Sequence, residues 1–157
     1  MSDVLHLLFL VKNDYYAITA KNIIKVCPYL PLQKLIGIED YILGVFRYRT
    51  QMVPVIDMAK LFYQTYSSLR MGTRILVVEW TDKEESFPIG IMVDSILDTF
   101  RLQKKNIIKH YVHSDQKILG NFAHSDGHDA QIVTIKDIIQ PELRKRIYAK
   151  VAKSNSE

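Results

Sequence analysis

Gly44-Val45-Phe46-Arg47-Tyr48-Arg49-Thr50-Gln51-Met52-Val53-Pro54-Val55-Ile56-Asp57-Met58-Ala59-Lys60-Leu61-Phe62 is the stretch whose reading decides the fold. Apolar and aromatic residues reach Tyr48, the polar pair Arg49-Thr50 interrupts them, and a second β-branched run closes at Asp57. That pattern predicts two strands over residues 41–48 and 51–57, joined at Arg49-Thr50. Pro54 cannot donate to a ladder, so it belongs at an edge or a bulge. Residues 58–63 read as a short helix. Asp57 stands where an aspartate accepts from the free N–H groups of a helix start.

Outward from this pair, most apolar stretches are short, β-branched or aromatic, and recur about every ten residues, the spacing of barrels and sandwiches. Residues 5–11 are nearly continuously apolar, which places this strand between two packed layers. Lys12-Asn13-Asp14 turns the chain into a strand over residues 15–18. Residues 20–24 read as one helical turn before an extended run to Pro28. Residues 64–72 form a polar connection that divides two subdomains. Residues 73–80 and 87–93 make a hairpin around a turn at 81–86, and a strand follows over 96–102. Residues 103–117 are irregular by pattern. Asp126-Gly127 is a turn between strands at 118–123 and 131–135. After Pro141, Leu143, Ile147 and Val151 form one apolar stripe on an amphipathic helix, and residues 154–157 are a frayed tail.

With 157 residues and 48% hydrophobic content, the chain can bury one ordinary core. No run approaches the ~20 apolar residues of a membrane span, and residues 5–11 lack the basic flank of a signal peptide. The expectation is a cytoplasmic protein with no direct membrane insertion. Cys27 is the single cysteine, which excludes an internal disulfide and any multi-cysteine metal site. It reads as a small buried hydrophobe, because nothing near it in sequence lowers its pKa. The formal charge of +4 is modest, and its C-terminal share lies on a helix pattern, so nucleic acid is not the expected partner.

Catalytic spacing is absent: there is no Gly-x-Ser-x-Gly elbow and no phosphate-binding glycine loop. His110, His113, His124 and His128 are the only candidate metal ligands, and the turn at 125–127 breaks the second pair's spacing, so they are read as decorating a solvated loop. Asp57, Asp94 and Asp137 each end a strand, where capping accounts for them. The expectation is therefore no enzyme, no cofactor and no metal. Arg47, Tyr48, Arg49 and Thr50 differ, because arginine and tyrosine are favoured interface anchors. Strand alternation puts Arg47 and Arg49 on the face opposite Tyr48.

Gly44, Val45, Arg49, Pro54, Val55, Ile56 and Asp57 fit the pattern Gly-Val-x-Asn-x-Arg-Gly, a short gap, then Pro-Val-x-Asp-Leu, which resembles the signature of the CheW-like domain family. Gly90, Val93, Asp94, Ile96 and Leu102 match its second signature. The likeness runs colinearly from about Leu5 to about Gln140. Arg47 replaces the usual Asn and Thr50 the usual Gly. Placing the family's earlier pattern on residues 16–26 puts Ile23 at its valine and Lys25 at its glutamate, the residue that usually faces the arginine matching Arg49.

The resemblance implies an all-β fold with short helices: two small five-stranded SH3-like β-barrels sharing a hydrophobic seam, plus a C-terminal amphipathic helix. It implies a domain over 1–140, with subdomains 14–72 and 73–140 bridged by a first strand at 4–12, then a basic helix and tail at 141–157. It implies a coupling scaffold of bacterial chemosensory signal transduction, recruited to receptor arrays at the inner membrane. The partners would be the regulatory domain of a CheA-type histidine kinase, met barrel end to barrel end, and the helical tip of a chemoreceptor, received between the barrels. Partner-binding positions are then Ile23, Lys25, Arg47, Tyr48, Arg49 and Thr50, and Gly44, Pro54, Asp57, Gly90 and Asp94 are structural. The basic departures at Lys25, Arg47 and Thr50 point to an auxiliary system, or to an adaptor of the same fold that binds another acidic protein.

Overall fold

The structure is a computed structural model that describes residues 4–82, 85–111, 118–139, 142, 143, 145–147 and 149. In chain order it has β1 (Val4–Val11), β2 (Asp14–Thr19), β3 (Ile23–Pro28), β4 (Ile42–Tyr48), β5 (Gln51–Asp57), α1 (Met58–Tyr63), β6 (Arg74–Asp82), β7 (Glu85–Val93), β8 (Ser95–Leu102), β9 (Ile107–Tyr111), β10 (Ile118–Ser125), β11 (His128–Ile132) and α2 (Ile135–Ile138). Single 3-10 turns lie at Ala20–Asn22 and Lys104–Asn106. The expected all-β architecture with short helices is what forms.

The strands sort into two sheets, one of six strands in the order β8-β1-β2-β11-β10-β9 and one of five in the order β3-β6-β7-β5-β4. The first sheet has one strand more than expected, because β8 continues directly from β7 and docks along β1. The division at residue 72 does not match the sheets. Residues 23–93 make the whole five-stranded sheet, and β2 pairs with β1 and β11 on the other side. β1 does not pair with both sheets; it joins them through its side chains.

That packing explains the continuous apolar run of β1. Leu7, Phe9 and Val11 enter the largest core cluster with Leu76, Val78, Ile89, Ile91 and Val93 of the other sheet. Leu8 points the opposite way, against Ala17 and Ala130. β6 is divided likewise: Leu76 and Val78 face the shared core, while Ile75 and Val77 line the inside of the five-stranded unit with Cys27, Phe46, Val53, Val55 and Met92. At about 1.5–3 kcal/mol for each large apolar side chain fully buried, the seam between the sheets is a principal source of stability.

Two glycines are required by close approach. Gly44 has φ +151° and a Cβ there would lie 2.4 Å from the Gln33 carbonyl oxygen, because Gln33 bridges Val45 beside it. A Cβ on Gly90 would meet Ile75 Cγ2 and Val55 Cγ2 at 3.0 Å, so Gly90 lets β5, β6 and β7 close on the inner core. Pro54 opposes Val45, whose N–H and C=O both bond Gln33, so this pair exchanges no ladder bonds. Pairing of β5 with β7 begins one residue later at Val55, which leaves Pro54 locally on an edge within an inner strand.

The three aspartates act on backbone. Asp57 caps α1, Asp137 completes a capping box with Thr134, and Asp94 Oδ2 accepts from the Lys12 N–H at 2.5 Å. The turn at Asp126-Gly127 has φ of +54° and +82°, as a two-residue type I′ hairpin needs.

Three local readings are corrected. Residues 103–117 are not uniformly irregular, since Ile107–Tyr111 pairs with β10; its Ile-Ile-Lys-His run is too short to show a period. The strand expected over 131–135 lies earlier, because β11 runs from His128 to Ile132 and the Thr134 cap turns Ile135 into α2. The turn at 81–86 is tighter, with β6 and β7 paired out to Asp82 and Glu85.

Residues 142, 143, 145–147 and 149 are helical. Ile147 is fully buried in the shared core with Leu143 packed against it, and Arg146 pairs with Glu39. Of the described residues after 140, Leu143, Arg146 and Ile147 are thus tied into the domain. Val151 and residues 154–157 lie outside the described residues.

Candidate interaction site

The edge strands β3 and β4 stand at opposite ends of the five-stranded sheet, yet its curvature brings Lys25 of β3 to Tyr48 of β4. Lys25 Nζ lies 5.7 Å from the Tyr48 ring centroid and Arg49 Cζ 5.3 Å from it. Arg49 leaves the strand in a left-handed conformation, φ +56°, so its guanidinium returns over the ring beside it. This corrects the expectation that Arg49 lies opposite Tyr48, because strand alternation ends where the turn begins. Arg47 Nε donates to the Arg49 carbonyl at 3.2 Å and braces the turn.

Lys25, Arg47, Arg49 and Thr50 are exposed, Tyr48 is half-buried, and Ile23 lies below them against the shared core. Lys25, Arg47, Tyr48, Arg49 and Thr50 therefore come together, and Ile23 supports β3 beneath them. Two exposed like charges repel by a few tenths of a kcal/mol, and each cation on an exposed ring gains about 0.5–1 kcal/mol. The ring thus offsets the repulsion and holds two positive charges side by side. Among the described residues, none of Lys25, Arg47 and Arg49 forms an ion pair with a carboxylate. Chemically, the arrangement presents two cations on one ring, a charge complementary to oxygen anions.

A second surface was not singled out from the sequence. Leu5, Ile24, Val26 and Leu97 are 40–44% exposed on β1, β3 and β8, strands that border the shared core. Val26 pairs with Leu76 and Ile23 with Val78, both buried in that core, so the apolar surface continues outward from it. A register shift between Ile23 and Lys25 leaves Ile24 as the extra, unpaired residue of the strand. The one sequence signal was the run Ile23-Ile24-Lys25-Val26, too apolar for a strand with a solvated face.

His110, His124 and His128 lie on strands rather than on a loop. His124 on β10 bonds Asp129 Oδ1 at 2.6 Å, and His128 on β11 stacks on Tyr15 with centroids 4.2 Å apart. His113 lies outside the described residues. Near α1, the Tyr63 hydroxyl donates to Asp14 Oδ2 at 2.5 Å and meets the Tyr16 hydroxyl at 2.5 Å. Burial first, then these two hydrogen bonds, pushes the Tyr63 phenol far above its ordinary pKa.

The domain thus consists of two sheets on one shared core, with a basic aromatic clamp on the five-stranded sheet and exposed apolar residues at strands that border the core. The chain matches the CheW-like domain over residues 5–142 and belongs to that family. It is similar to the chemotaxis protein CheW of Bacillus subtilis, 27% identical over 64% of this chain and 62% of that one. It is also similar to the chemotaxis protein CheW of Helicobacter pylori, 25% identical over 63% of this chain and 58% of that one. The matches thus span about 60% of the length of these relatives. The solved scaffolding protein TtCheW of Thermoanaerobacter tengcongensis shares the fold, with a TM-score of 0.69, 19% identity and 84% of each chain covered.

Proposed function

We propose that this chain is a non-catalytic coupling scaffold of bacterial chemosensory signalling. In this reading it links a chemoreceptor to a CheA-type histidine kinase in the cytoplasm, at receptor arrays on the inner membrane. The kinase regulatory domain meets an end of the five-stranded unit, and the receptor's helical tip lies along the apolar border of the seam. The observation that carries the reading is the clamp of Lys25 and Arg49 on Tyr48 in a chain of this family. It is a rigid aromatic anchor with unpaired positive charge, the composition of an interface centre.

The test is a pull-down with a cognate kinase regulatory domain and receptor tip, using Arg49→Glu and Ile24→Asp variants of verified fold. Ile24 serves better than Ile23, because Ile23 is packed on the core and a carboxylate there would compromise folding. Each variant should lose one or both partners. Wild-type affinity in both would remove the assignment.

The uncompensated charge at Lys25, Arg47 and Arg49 also favours a second reading, an adaptor of this fold that binds an acidic protein outside chemosensing. Binding of that kind would weaken steeply with salt and would not need a receptor tip.

A further inference from the structure

A cleft of about 420 Å³ opens where the two sheets meet, away from the Tyr48 clamp. Three segments distant in sequence build it: the β1–β2 turn supplies Lys12 and Asn13, the connection before β6 supplies Ser68 and Arg70, and the crossing from β7 to β8 supplies Asp94 and Ser95. Two cations and three neutral hydrogen-bonding side chains thus line it with one carboxylate.

The carboxylate is already committed. Asp94 Oδ2 accepts from the Lys12 backbone N–H at 2.5 Å, and the Asp94 N–H donates to the Leu10 carbonyl at 2.9 Å. The cations are not committed to acids. Lys12 Nζ donates to the Tyr66 carbonyl at 3.2 Å, which leaves it further N–H groups, and the Arg70 guanidinium has no partner among the described residues. Asn13, Ser68 and Ser95 likewise have free side-chain donors among the described residues.

The walls are held in place. Ser67 is bonded twice to Asp57, the Arg70 N–H donates to Thr73 Oγ1 at 2.9 Å, and Arg74 Nη1 donates to the Met71 carbonyl at 2.7 Å. A guanidinium, an ammonium and several hydroxyl and amide donors around one cleft suit an anion with several oxygens. The volume exceeds that of a bare phosphate and falls in the range of small-molecule sites.

We infer that this cleft binds a phosphate monoester of nucleotide size, with the phosphoryl oxygens on Arg70 and Lys12 and the Ser68 and Ser95 hydroxyls beside them. The site touches both sheets, so its ligand bears on how they are held together. The inference stands apart from the proposed coupling role and uses none of its residues.

The test is amide NMR of the full chain titrated with adenosine 5′-monophosphate, then with inorganic phosphate, at constant ionic strength set with chloride. Saturable shifts are expected at residues 12, 13, 68, 70, 72, 94 and 95, with the ester binding more tightly than inorganic phosphate. Arg70→Ala and Lys12→Asn should each weaken binding roughly tenfold, since each removes a charge-assisted contact. Asparagine tolerates the left-handed backbone at position 12, where φ is +56°. Asp94→Asn keeps an acceptor for the Lys12 N–H, removes the opposing charge and should tighten binding severalfold. Spectra unchanged away from the cleft verify the fold of each variant. Absence of saturation, equal affinity for inorganic phosphate, or indifference to Arg70→Ala and Lys12→Asn would overturn the inference.

Discussion

Asp57 holds Ser67 by two bonds, accepting from its backbone N–H at 2.9 Å and from its hydroxyl at 2.6 Å. The same carboxylate accepts from the N–H groups of Ala59 and Lys60 at 3.0 and 3.4 Å. One side chain, 1% exposed, therefore fastens the start of α1 to the connection that leads to β6. Asp57→Ala would leave these donors facing a pocket without an acceptor. The expected loss is about 2–4 kcal/mol, combining a lost cap with unsatisfied buried donors. Urea unfolding measures it, and Asp57→Asn should recover part of the loss through its remaining acceptor.

Gly44 and Gly90 differ in what blocks a side chain. At Gly44 the obstacle is backbone oxygen at 2.4 Å and a backbone angle that favours glycine. At Gly90 it is two methyl groups at 3.0 Å, which can shift. Gly44→Ala should cost about 3 kcal/mol and Gly90→Ala about 1–2 kcal/mol. For a domain of this size the first corresponds to a melting shift of roughly 6–12 °C. A larger effect at Gly90 would contradict the Gln33 bridge.

Gln64 ends α1 in a left-handed conformation, φ +61°, with its side chain exposed. Glycine adopts that angle without Cβ strain, at the expense of extra freedom in the unfolded chain. Gln64→Gly should therefore stabilise by about 0.5 kcal/mol, seen as a raised urea midpoint with an unchanged slope.

The Tyr63 phenol is raised above its ordinary value in the folded protein, and Tyr16 is raised with it, in each case chiefly by burial. Folding then favours the protonated phenol, so this contribution is complete below the unfolded value near pH 10 and falls as pH rises beyond it. Stability measured from pH 9 to 11 should decline more gently in Tyr63→Phe than in the parent. Equal slopes would show that the Asp14 and Tyr16 contacts do not govern this titration.

Lys25→Glu would place a carboxylate beside Arg49, the charge order that its family resemblance leads one to expect. Because the pair is exposed, stability should change by no more than about 0.5 kcal/mol. Binding to an acidic partner should weaken and lose salt dependence. A fold-dependent loss of more than about 1 kcal/mol would mean that the Lys25 contact with Tyr48 is worth more than an exposed cation on a ring.

The fold was largely legible because its determinants are local. Val53 to Asp57 is a short, largely β-branched run that stops at a cap, Asp126-Gly127 specifies its own turn, and residues 5–11 advertise burial on two faces. What the sequence did not disclose depends on curvature and distant pairing. Nothing local says that β2 lies beside β11, a pairing more than a hundred positions apart. At the site, the residues of the clamp were legible as residue types, but their geometry was not. Arg49 lies over Tyr48 because of one left-handed angle, and Lys25 reaches it only because two sheet edges approach. Ile24 is exposed at a register shift and Val26 on an edge strand, which an apolar run conceals.

The nesting of residues 23–93 inside a sheet made from residues on either side has a consequence for biosynthesis. As the chain leaves the ribosome, the five-stranded unit has all its strands once residue 93 has emerged, whereas β1 and β2 must wait for β11 to complete their sheet. Until then the seam faces of Leu7, Phe9 and Val11 can rest only on the nested unit, which serves as an internal template for the strands that enclose it.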